Sequence, residues 1–399
     1  MMVLTITKSV SGGTGTFILE LTNIKSMEFH TVCLEPSPSP VESKIKHNIT
    51  YISKKSLPSF YALTPSNLFL LCKEIVLISA LVKKKKPDKV LCVDFHAGLL
   101  WRLVKLINWF PQQSIFTFHN NVEMVFKTKS NSVLIPLLKV AGRLIFHDKS
   151  DIYIAVSQGV KSGLEKYFYP KHEIKVIYNG TKRIPTRKKS PSRNFIFITI
   201  SRFSPQKDIA TILKAFSTIT KKYSRAYLYL VGDGEDKNKI LKEINELNIS
   251  SRIVVYGWQH DVGRLLKKAD CFVYSSLWDG YPYAILEAMS YGLPVISSDT
   301  PYGPGEILGK NKYGLLFPMQ NSKSLAKHMS TIISDRHIRD YYADQSLRRI
   351  KNYHAKHMLY HYQNLLAHKG SMVYNNNYAS SRDRTTRRSI PTKKTLQGL

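Results

Sequence analysis

Asp279 and Glu287 have the spacing and the surroundings of two carboxylates that share a ligand. Asp279 lies in an Asp-Gly turn, Pro282 opens a predicted helix, and Glu287 follows about one turn into that helix. Backbone amides at a helix N-terminus attract anions, and carboxylates accept hydrogen bonds from sugar or ribose hydroxyls. The segment 279–297 therefore favours a sugar nucleotide, although an isolated pair of this kind is more often a turn former and an exposed helical residue.

Two cations lie upstream, in a loop that follows a predicted strand and precedes a predicted helix. Arg202 and Lys207 are five positions apart in the segment SRFSPQKD. Arginine binds phosphate oxygens bidentately and lysine binds them as a point charge, so the pair can hold a diphosphate. The commoner explanation for two such residues is a pair of solvated charges, because the chain has 59 lysines and arginines.

A glycine-rich segment and two histidines are further candidates in the N-terminal half. Gly13 lies in SGGTG after the first predicted strand, where bare backbone amides approach a phosphate or a sugar closely. Such a segment is also typical of a tight turn between a strand and a helix. His119 is predicted to end a later strand, and His96 to end the strand before it. A lone histidine more often has a structural role, and packing is favoured for His96.

The charge of the chain narrows its possible partners. Against 28 aspartates and glutamates, the basic residues give a formal net charge of +31. A surface of this sign attracts nucleic acid, an anionic membrane or a diphosphate substrate. No basic helix with interleaved aromatic residues accompanies the charge, so specific nucleic-acid binding is not predicted.

Composition indicates a globular chain without a membrane span. Hydrophobic residues make up 43% of the sequence, and the four cysteines are scattered singly, which predicts reduced, buried thiols. The N-terminus lacks the pattern of a secretion signal. The longest apolar window, 68–82, contains Lys73 and Glu74 and is shorter than the roughly 20 residues that cross a bilayer, so a buried helix is predicted there.

Strand-like and helix-like segments alternate through both halves of the chain. The N-terminal half begins with a strand at Val3 and ends with one at 174–178, and a second series starts at Phe195. This alternation predicts parallel βαβ units, and 399 residues exceed the usual size of a single core. Asp208 is predicted to cap the helix that follows it. That helix carries Ile212, Phe216 and Ile219 on one face.

The predicted organisation has two α/β domains joined by a polar, basic linker. Composition shifts place the boundaries as follows: an N-terminal Rossmann-like domain at 1–180, the linker at 181–193, a C-terminal Rossmann-like domain at 194–345, a helical segment at 346–369 that packs back on the N-terminal domain, and a disordered basic tail at 370–399. Ligands of such open sheets bind near the carboxyl ends of the strands.

The motifs together resemble glycosyltransferase family 4. Asp279-x7-Glu287, the small-residue helix that follows and Gly292-Leu293-Pro294-Val295 match its carboxylate-x7-carboxylate motif and its GxPV strand. The segment from Arg202 to Lys207 matches its GRxxxxKG-type loop. Smaller matches follow in the same order from Gly12 to about Pro318. The first carboxylate of the family is usually Glu, so Asp279 shortens the reach by one methylene.

The resemblance implies a role for each candidate residue. Asp279 lies by the hydroxyls of the donor sugar, and Glu287 binds the ribose of the nucleotide. Arg202 and Lys207 bind the β-phosphate and the departing oxygen. The remaining assignments are His119 in the donor-sugar pocket, Gly13 in a glycine-rich loop that faces the cleft, and Tyr283 at the helix start that receives the donor.

The resemblance also implies the GT-B architecture, two Rossmann-like doubly wound domains that face each other across a cleft. It implies that the N-terminal domain at 1–180 binds the acceptor and that the C-terminal domain at 194–345 binds the nucleotide sugar. The activity that the resemblance implies is the transfer of a sugar, with retention of configuration, from a UDP- or GDP-sugar to a polysaccharide or lipid-linked acceptor. A same-face substitution, without a metal or another cofactor, is usually proposed for such enzymes. We expect a cytoplasmic enzyme of polysaccharide or lipopolysaccharide synthesis, attached peripherally to the anionic inner face of the cell membrane.

Three alternatives stay open at the level of sequence. A nonhydrolysing sugar-nucleotide epimerase shares the GT-B architecture. A basic nucleic-acid-binding protein agrees with the charge alone. An inactive scaffold is disfavoured because Arg202, Lys207 and Glu287 are all present.

Overall fold

The computed structural model describes residues 1–35, 49–53, 65–120, 122–123, 135–182, 193–259 and 261–367. The chain divides into two compact units. The first unit contains Met1–Asn179 and the helix that begins at Ala355, and the second contains Gly180–His354. The predicted linker at 181–193, apart from its ends, and the predicted tail at 370–399 lie outside the described residues.

The first unit is built on a parallel sheet. Its described elements are, in chain order, β1 (Met2–Thr7), α1 (Gly12–Leu21), β2 (Glu28–Cys33), β3 (Ile49–Tyr51), α2 (Pro65–Lys85), β4 (Lys89–Val93), α3 (Asp94–Asn108), β5 (Gln113–Phe118), α4 (Ile135–Ile145), β6 (Ile152–Ala155), α5 (Gln158–Phe168) and β7 (Ile174–Val176). The seven described strands pair in the order β3-β2-β1-β4-β5-β6-β7, and every pairing is parallel. Strands β4 to β6 are almost wholly buried, as expected of a sheet covered on both faces.

The second unit repeats this design. Its described elements are β8 (Phe195–Ile200), α6 (Ile209–Lys222), β9 (Ala226–Val231), α7 (Lys237–Glu246), β10 (Ile253–Gly257), α8 (Gly263–Leu266), β11 (Cys271–Tyr274), α9 (Tyr283–Ser290), β12 (Val295–Ser298), α10 (Pro304–Leu308), β13 (Leu315–Phe317), α11 (Ser322–Ser334) and α12 (Arg336–Ile350). The six described strands pair in parallel in the order β10-β9-β8-β11-β12-β13.

The apolar face predicted for α6 is confirmed. Ile212, Phe216 and Ile219 are at most 2% exposed and lie in the core of the second unit. The predicted cap is wrong in detail. Asp208 occupies the N-cap position with a φ of 45°, but its carboxylate accepts a bond from the Thr211 hydroxyl at 2.6 Å and caps no helix N–H with its side chain.

The last described helix, α13 (Ala355–Ala367), belongs to the first unit although it follows the second in sequence. The Lys89 ammonium, on a residue only 5% exposed, donates to the carbonyl of Leu365 at 3.0 Å. The break between the units falls after His354 and not at 345, because α12 runs without interruption to Ile350. The predicted segment 346–369 is therefore split between the two units.

Several local predictions need correction. Helix α3 begins at Asp94, directly after β4. The apolar window 68–82 is part of the longer α2, which is only partly buried and not the buried helix predicted, since Phe69 is 71% and Val76 65% exposed. Among the described helices, none is long and apolar enough to cross a membrane. All four cysteines are free, but Cys72 is exposed because it lies on the outward face of α2, and so the prediction of buried thiols is wrong for that residue.

Candidate functional site

The loop that carries Arg202 is held by a glycine loop at the carboxyl edge of the second sheet. The Phe203 N–H donates to the Asp233 carbonyl at 2.9 Å, and Phe203 is fully buried. A Cβ on Gly232 would collide with the Ser201 carbonyl, and φ at Gly232 is 144°, a region that only glycine adopts readily. The glycine loop therefore fixes the backbone on which Arg202 lies.

Lys207 and Asp279 form an ion pair that the tyrosine at the end of β11 completes. The Lys207 ammonium lies 2.5 Å from Oδ2 of Asp279 and donates to the Tyr274 hydroxyl at 2.9 Å. The Tyr274 hydroxyl in turn donates to the same carboxylate oxygen. The charged side chains are only 16% and 15% exposed. Lys207, Tyr274 and Asp279, here the Lys207 cluster, form a closed ring of hydrogen bonds.

The electrostatics of the cluster keep lysine charged. Burial alone would lower the pKa of Lys207, but the Asp279 carboxylate and the Tyr274 hydroxyl outweigh it and raise that pKa above its usual value. Burial, followed by the neighbouring carboxylate, raises the pKa of Tyr274, so the phenol stays protonated. Lys207 thus remains a cation at neutral pH, and the described residues accept two of its three N–H bonds.

The loops after β8 and β11 are joined by hydrogen bonds that set this geometry. The Ser275 hydroxyl donates to the carbonyl of Lys207 at 2.8 Å, and the Leu277 N–H donates to the carbonyl of Gln206 at 2.8 Å. The side chain of Gln206 reaches the Trp278 carbonyl at 2.7 Å. These bonds hold the backbone that carries Lys207 next to the backbone that carries Asp279, and so they bring the ammonium close to the carboxylate.

Sequence reasoning missed Tyr274 and Ser275. The available signal was the Tyr-Ser-Ser run at the end of an otherwise apolar strand, where side chains at a carboxyl edge face ligands. The spacing of residues in the sequence does not identify the hydrogen-bond partners of these two hydroxyls.

Arg202 contacts a carboxylate of the neighbouring glycine loop. Its guanidinium lies 3.7 Å from the carboxylate of Glu235, and the two side chains are 66% and 60% exposed. An exposed pair of this kind contributes little to stability, so Arg202 leaves Glu235 at small cost when an anion binds.

The helix that carries Glu287 begins at Tyr283, one residue later than predicted. Pro282 is its N-cap residue and provides no side-chain hydrogen bond to the first turn. The first amides of the helix are therefore directed at whatever lies before it. Tyr283 is 7% exposed, and Glu287 is half-buried in the second turn.

In the first unit, His119 follows β5 directly and is 7% exposed. Its backbone N–H donates to Oδ1 of Asp94 at 2.8 Å, and its Nε2 lies 3.2 Å from the Thr117 hydroxyl. Burial lowers the pKa of His119 to about 3, so the imidazole is neutral at physiological pH. A neutral imidazole provides one hydrogen-bond donor and one acceptor and carries no charge to a substrate.

Gly13 is exposed and is the second residue of α1, so the predicted glycine loop is already helical at this position. One turn later on the same helix, the ring of Phe17 lies 4.4 Å from that of His119. This contact places the start of α1 and His119 in one neighbourhood. His96 lies in the first turn of α3 and not at a strand end, and it is 7% exposed.

The candidate residues thus form two groups, one in each unit. Arg202, Lys207, Asp279, Tyr283 and Glu287 belong to the second unit, and Gly13 and His119 to the first. Within the part of the chain that the structure describes, no three His, Cys, Asp or Glu side chains are grouped as metal ligands would be.

Two family models together match most of the chain. The model described as Glycosyl transferases group 1 matches residues 181–356, and that described as Glycosyltransferase Family 4 matches residues 11–182. These matches confirm the resemblance drawn from the Asp279-x7-Glu287 motif.

Similar proteins in other organisms are glycosyltransferases. The chain is 31% identical over 258 residues to an uncharacterized glycosyltransferase of Methanocaldococcus jannaschii, a match that covers 60% of this chain and 62% of the relative. It is 31% identical over 260 residues to the lipopolysaccharide 1,6-galactosyltransferase of Escherichia coli K12, covering 61% and 65%. The chain thus spans a little less than two thirds of the length of these two relatives. A Campylobacter jejuni enzyme, the diphospho-undecaprenol 4-alpha-N-acetylgalactosaminyltransferase, is 23% identical over 325 residues, covering 80% of both chains.

Solved structures agree on the architecture. A sucrose-phosphate synthase from Thermosynechococcus elongatus superimposes with a TM-score of 0.76 at 18% identity, over 92% of this chain and 98% of that one. The Anabaena protein HepE in complex with UDP-glucose gives 0.73 at 18% identity, over 92% and 99%. The two parallel sheets and these neighbours establish the two-domain α/β GT-B fold.

The Lys207 cluster predicts a measurable contribution from one hydroxyl. Replacing Tyr274 with Phe keeps the ring but removes a donor to Asp279 and an acceptor for Lys207. We expect Tyr274→Phe to lower the free energy of unfolding of the second unit by about 1.5–3 kcal/mol, the range for hydrogen bonds to charged groups. Differential scanning calorimetry measures the loss.

Tyr227→Phe is the matched control. Tyr227 is a half-buried tyrosine of the same unit whose hydroxyl makes no hydrogen bond to another described residue. Equal stability of the two variants would show that the ring of hydrogen bonds contributes nothing.

Proposed function

Because the chain belongs to the family 4, group 1 glycosyltransferases, we propose that it transfers a sugar from a nucleotide diphosphate donor, with retention, to a glycan or lipid-linked acceptor. The observation that carries the proposal is the Lys207 cluster. A lysine held cationic by a carboxylate and a phenol lies at the carboxyl edge of a parallel sheet, where such folds bind nucleotides.

Lys207 and Arg202 provide the positive charge for the diphosphate. Lys207 is fixed by its two partners, and Arg202 exchanges an exposed contact with Glu235 for the phosphate oxygens. Charge develops on the leaving diphosphate as the glycosidic bond of the donor breaks, and a fixed cation stabilises that charge without reorganising. The reaction therefore needs no metal ion for this step.

Asp279 and Glu287 bind the hydroxyls of the donor. Oδ2 of Asp279 accepts bonds from Lys207 and Tyr274, whereas Oδ1 accepts one bond from the adjacent Gly280 N–H at 3.1 Å and has capacity left for a sugar hydroxyl. Glu287, half-buried beyond the helix start at Tyr283, accepts from the ribose. The base of the donor nucleotide is uracil, a choice supported by the UDP-glucose complex of the structurally similar Anabaena protein.

The acceptor is a sugar hydroxyl of a lipid-linked or lipopolysaccharide glycan. The names of the Escherichia coli and Campylobacter relatives, one a lipopolysaccharide and the other a diphospho-undecaprenol enzyme, support this class. A phosphate oxygen of the departing diphosphate takes the acceptor proton in a same-face substitution. His119 is neutral and contributes a hydrogen bond to a sugar hydroxyl, without acting as an acid.

Donor binding tests the proposal most simply. In a thermal-shift screen of UDP-, GDP- and ADP-sugars, we expect a UDP-sugar to raise the melting temperature and EDTA to leave that shift unchanged. Arg202→Ala and Glu287→Gln each remove a charge-assisted bond to the donor, which weakens binding by about 1.5–3 kcal/mol. The anomeric configuration of the first product, read by proton NMR, tests retention.

Arg336→Ala is the matched control for Arg202→Ala. Arg336 lies in the same unit and its side chain is 82% exposed, in an ion pair with Asp340. A donor-induced shift that survives both site substitutions undiminished would contradict the donor assignment.

A membrane-facing surface on the first unit agrees with a lipid-linked acceptor. Phe69 and Val76, on the outward face of α2, are 71% and 65% exposed. The exposed Lys83 and Lys84 lie on the same helix, and its acidic residue, Glu74, is buried. Exposed apolar groups combined with positive charge are typical of helices that lie on anionic lipid.

The end of α3 extends this surface. The Asn108 side chain donates to the Ser79 hydroxyl at 2.9 Å, so the end of α3 lies beside α2. Ile107 and Trp109, either side of Asn108, are 63% and 89% exposed. We propose that α2 and the end of α3 attach the enzyme peripherally to an anionic cytoplasmic leaflet.

Vesicle flotation tests this attachment. Binding to vesicles that contain phosphatidylglycerol should weaken with salt. Lys83→Gln combined with Lys84→Gln should reduce it roughly 30-fold, at about 1 kcal/mol for each charge near the surface. The control pair, Lys239→Gln with Lys242→Gln, changes the same charge on α7 of the second unit and should bind like the parent. Salt-insensitive binding, or equal losses in the two pairs, would contradict the surface.

A further inference from the structure

His119 ends a chain of buried hydrogen bonds that begins on the last helix of the protein. Its Nε2 lies 3.2 Å from the Thr117 hydroxyl, and that hydroxyl lies 2.8 Å from the hydroxyl of Tyr362. Tyr362 is 1% exposed, and Thr117 is fully buried. These three side chains, here the His119 relay, join residues 245 positions apart in sequence.

Packing holds both ends of the relay in place. The ring of Phe17 lies 4.4 Å from that of His119 and 5.1 Å from that of Tyr362. Lys89 binds the carbonyl of Leu365 one turn beyond Tyr362 on α13. At the other end, Asp94 accepts the His119 N–H from a left-handed backbone with a φ of 68°. The three groups therefore meet in one arrangement.

The relay has a direction because each hydroxyl carries one proton. If Tyr362 donates to Thr117, then Thr117 donates to Nε2, and His119 carries its proton on Nδ1. If His119 donates from Nε2, then Thr117 either donates to Tyr362 or accepts from both neighbours, which leaves its own proton without an acceptor among the described residues. A phenol is a stronger donor and a weaker acceptor than an aliphatic hydroxyl, and aligned bonds in a dry interior reinforce one another. The first direction is favoured.

We propose that Tyr362 is a positioning residue that, through Thr117, fixes His119 as the Nδ1–H tautomer and so makes it a hydrogen-bond donor. Nδ1 of His119 makes no hydrogen bond to another described residue, so its N–H is available to a ligand. A sugar oxygen has the matching chemistry, since it accepts such a bond without a change of charge. This identification of the ligand rests on the proposed function, whereas the tautomer does not.

Nitrogen NMR of the 399-residue chain measures the tautomer of His119 directly. With 15N-labelled histidine, and with His119→Gln to identify the signals, we expect Nε2 of His119 at the shift of an unprotonated nitrogen and Nδ1 at that of a protonated one. Tyr362→Phe removes the phenolic donor, so the Nδ1–H population should fall. Protonated Nε2 in the parent chain, or an unchanged spectrum in Tyr362→Phe, would overturn the proposal.

Tyr360→Phe is the control, because Tyr360 lies on the same helix and is 61% exposed. If Tyr362→Phe does not fold, Thr117→Val interrupts the relay at its centre and should also change the shifts of His119. Tyr362→Phe and Thr117→Val should each lower kcat/KM for sugar transfer about 5-fold, equivalent to one hydrogen bond of about 1 kcal/mol. The Kd of UDP should not change. An equal loss in Tyr360→Phe would point to a structural effect and contradict the proposal.

Different results would contradict the proposed function and the proposed tautomer of His119. If the parent chain transfers no sugar from any donor, the proposed function fails, and the NMR signals still report the tautomer. If the parent transfers sugar but His119 carries its proton on Nε2, the relay fails and the transferase remains.

Discussion

The ion pair between Lys207 and Asp279 is the constraint on which the second unit's site depends. Neither side chain is more than 16% exposed, and a charge so poorly solvated is stable only beside its partner. The serine and glutamine bonds between the loops after β8 and β11 hold the pair together, and Tyr274 closes the ring. The fold thus holds Lys207 as a charged ammonium, next to its carboxylate partner, at the edge of the sheet.

Burial of an ionisable side chain has opposite outcomes in the two units. In the second unit, burial is offset by a carboxylate and the lysine stays charged. In the first unit, burial lowers the pKa of His119, and so its imidazole is neutral. A cation has the chemistry to bind a diphosphate, and a neutral imidazole has the chemistry to bind a hydroxyl. Asp279, the position at which the family usually has Glu, is the partner of Lys207 in this structure.

The sequence predicted what depends on periodicity and local motif. Alternating strands and helices gave two parallel sheets, and the spacing from Asp279 to Glu287 gave a helix start between two carboxylates. Contacts between distant segments were not predictable. Tyr274 shares Lys207 with Asp279, Arg202 pairs with Glu235, and Tyr362 reaches Thr117 across 245 positions. Each depends on tertiary packing, and none has a signature in local spacing. Asp208 shows the reverse error, because a common capping residue occupies the N-cap position without capping the helix with its side chain.

We propose that Lys207 binds the second phosphate of the donor. Isothermal titration of UDP and of UMP, with the parent chain and with Lys207→Met, measures this contribution. We expect Lys207→Met to weaken UDP binding by about 1.5–3 kcal/mol, the range for a charge-assisted bond, and to leave UMP binding almost unchanged. Equal losses for the two nucleotides, or no loss for UDP, would contradict it.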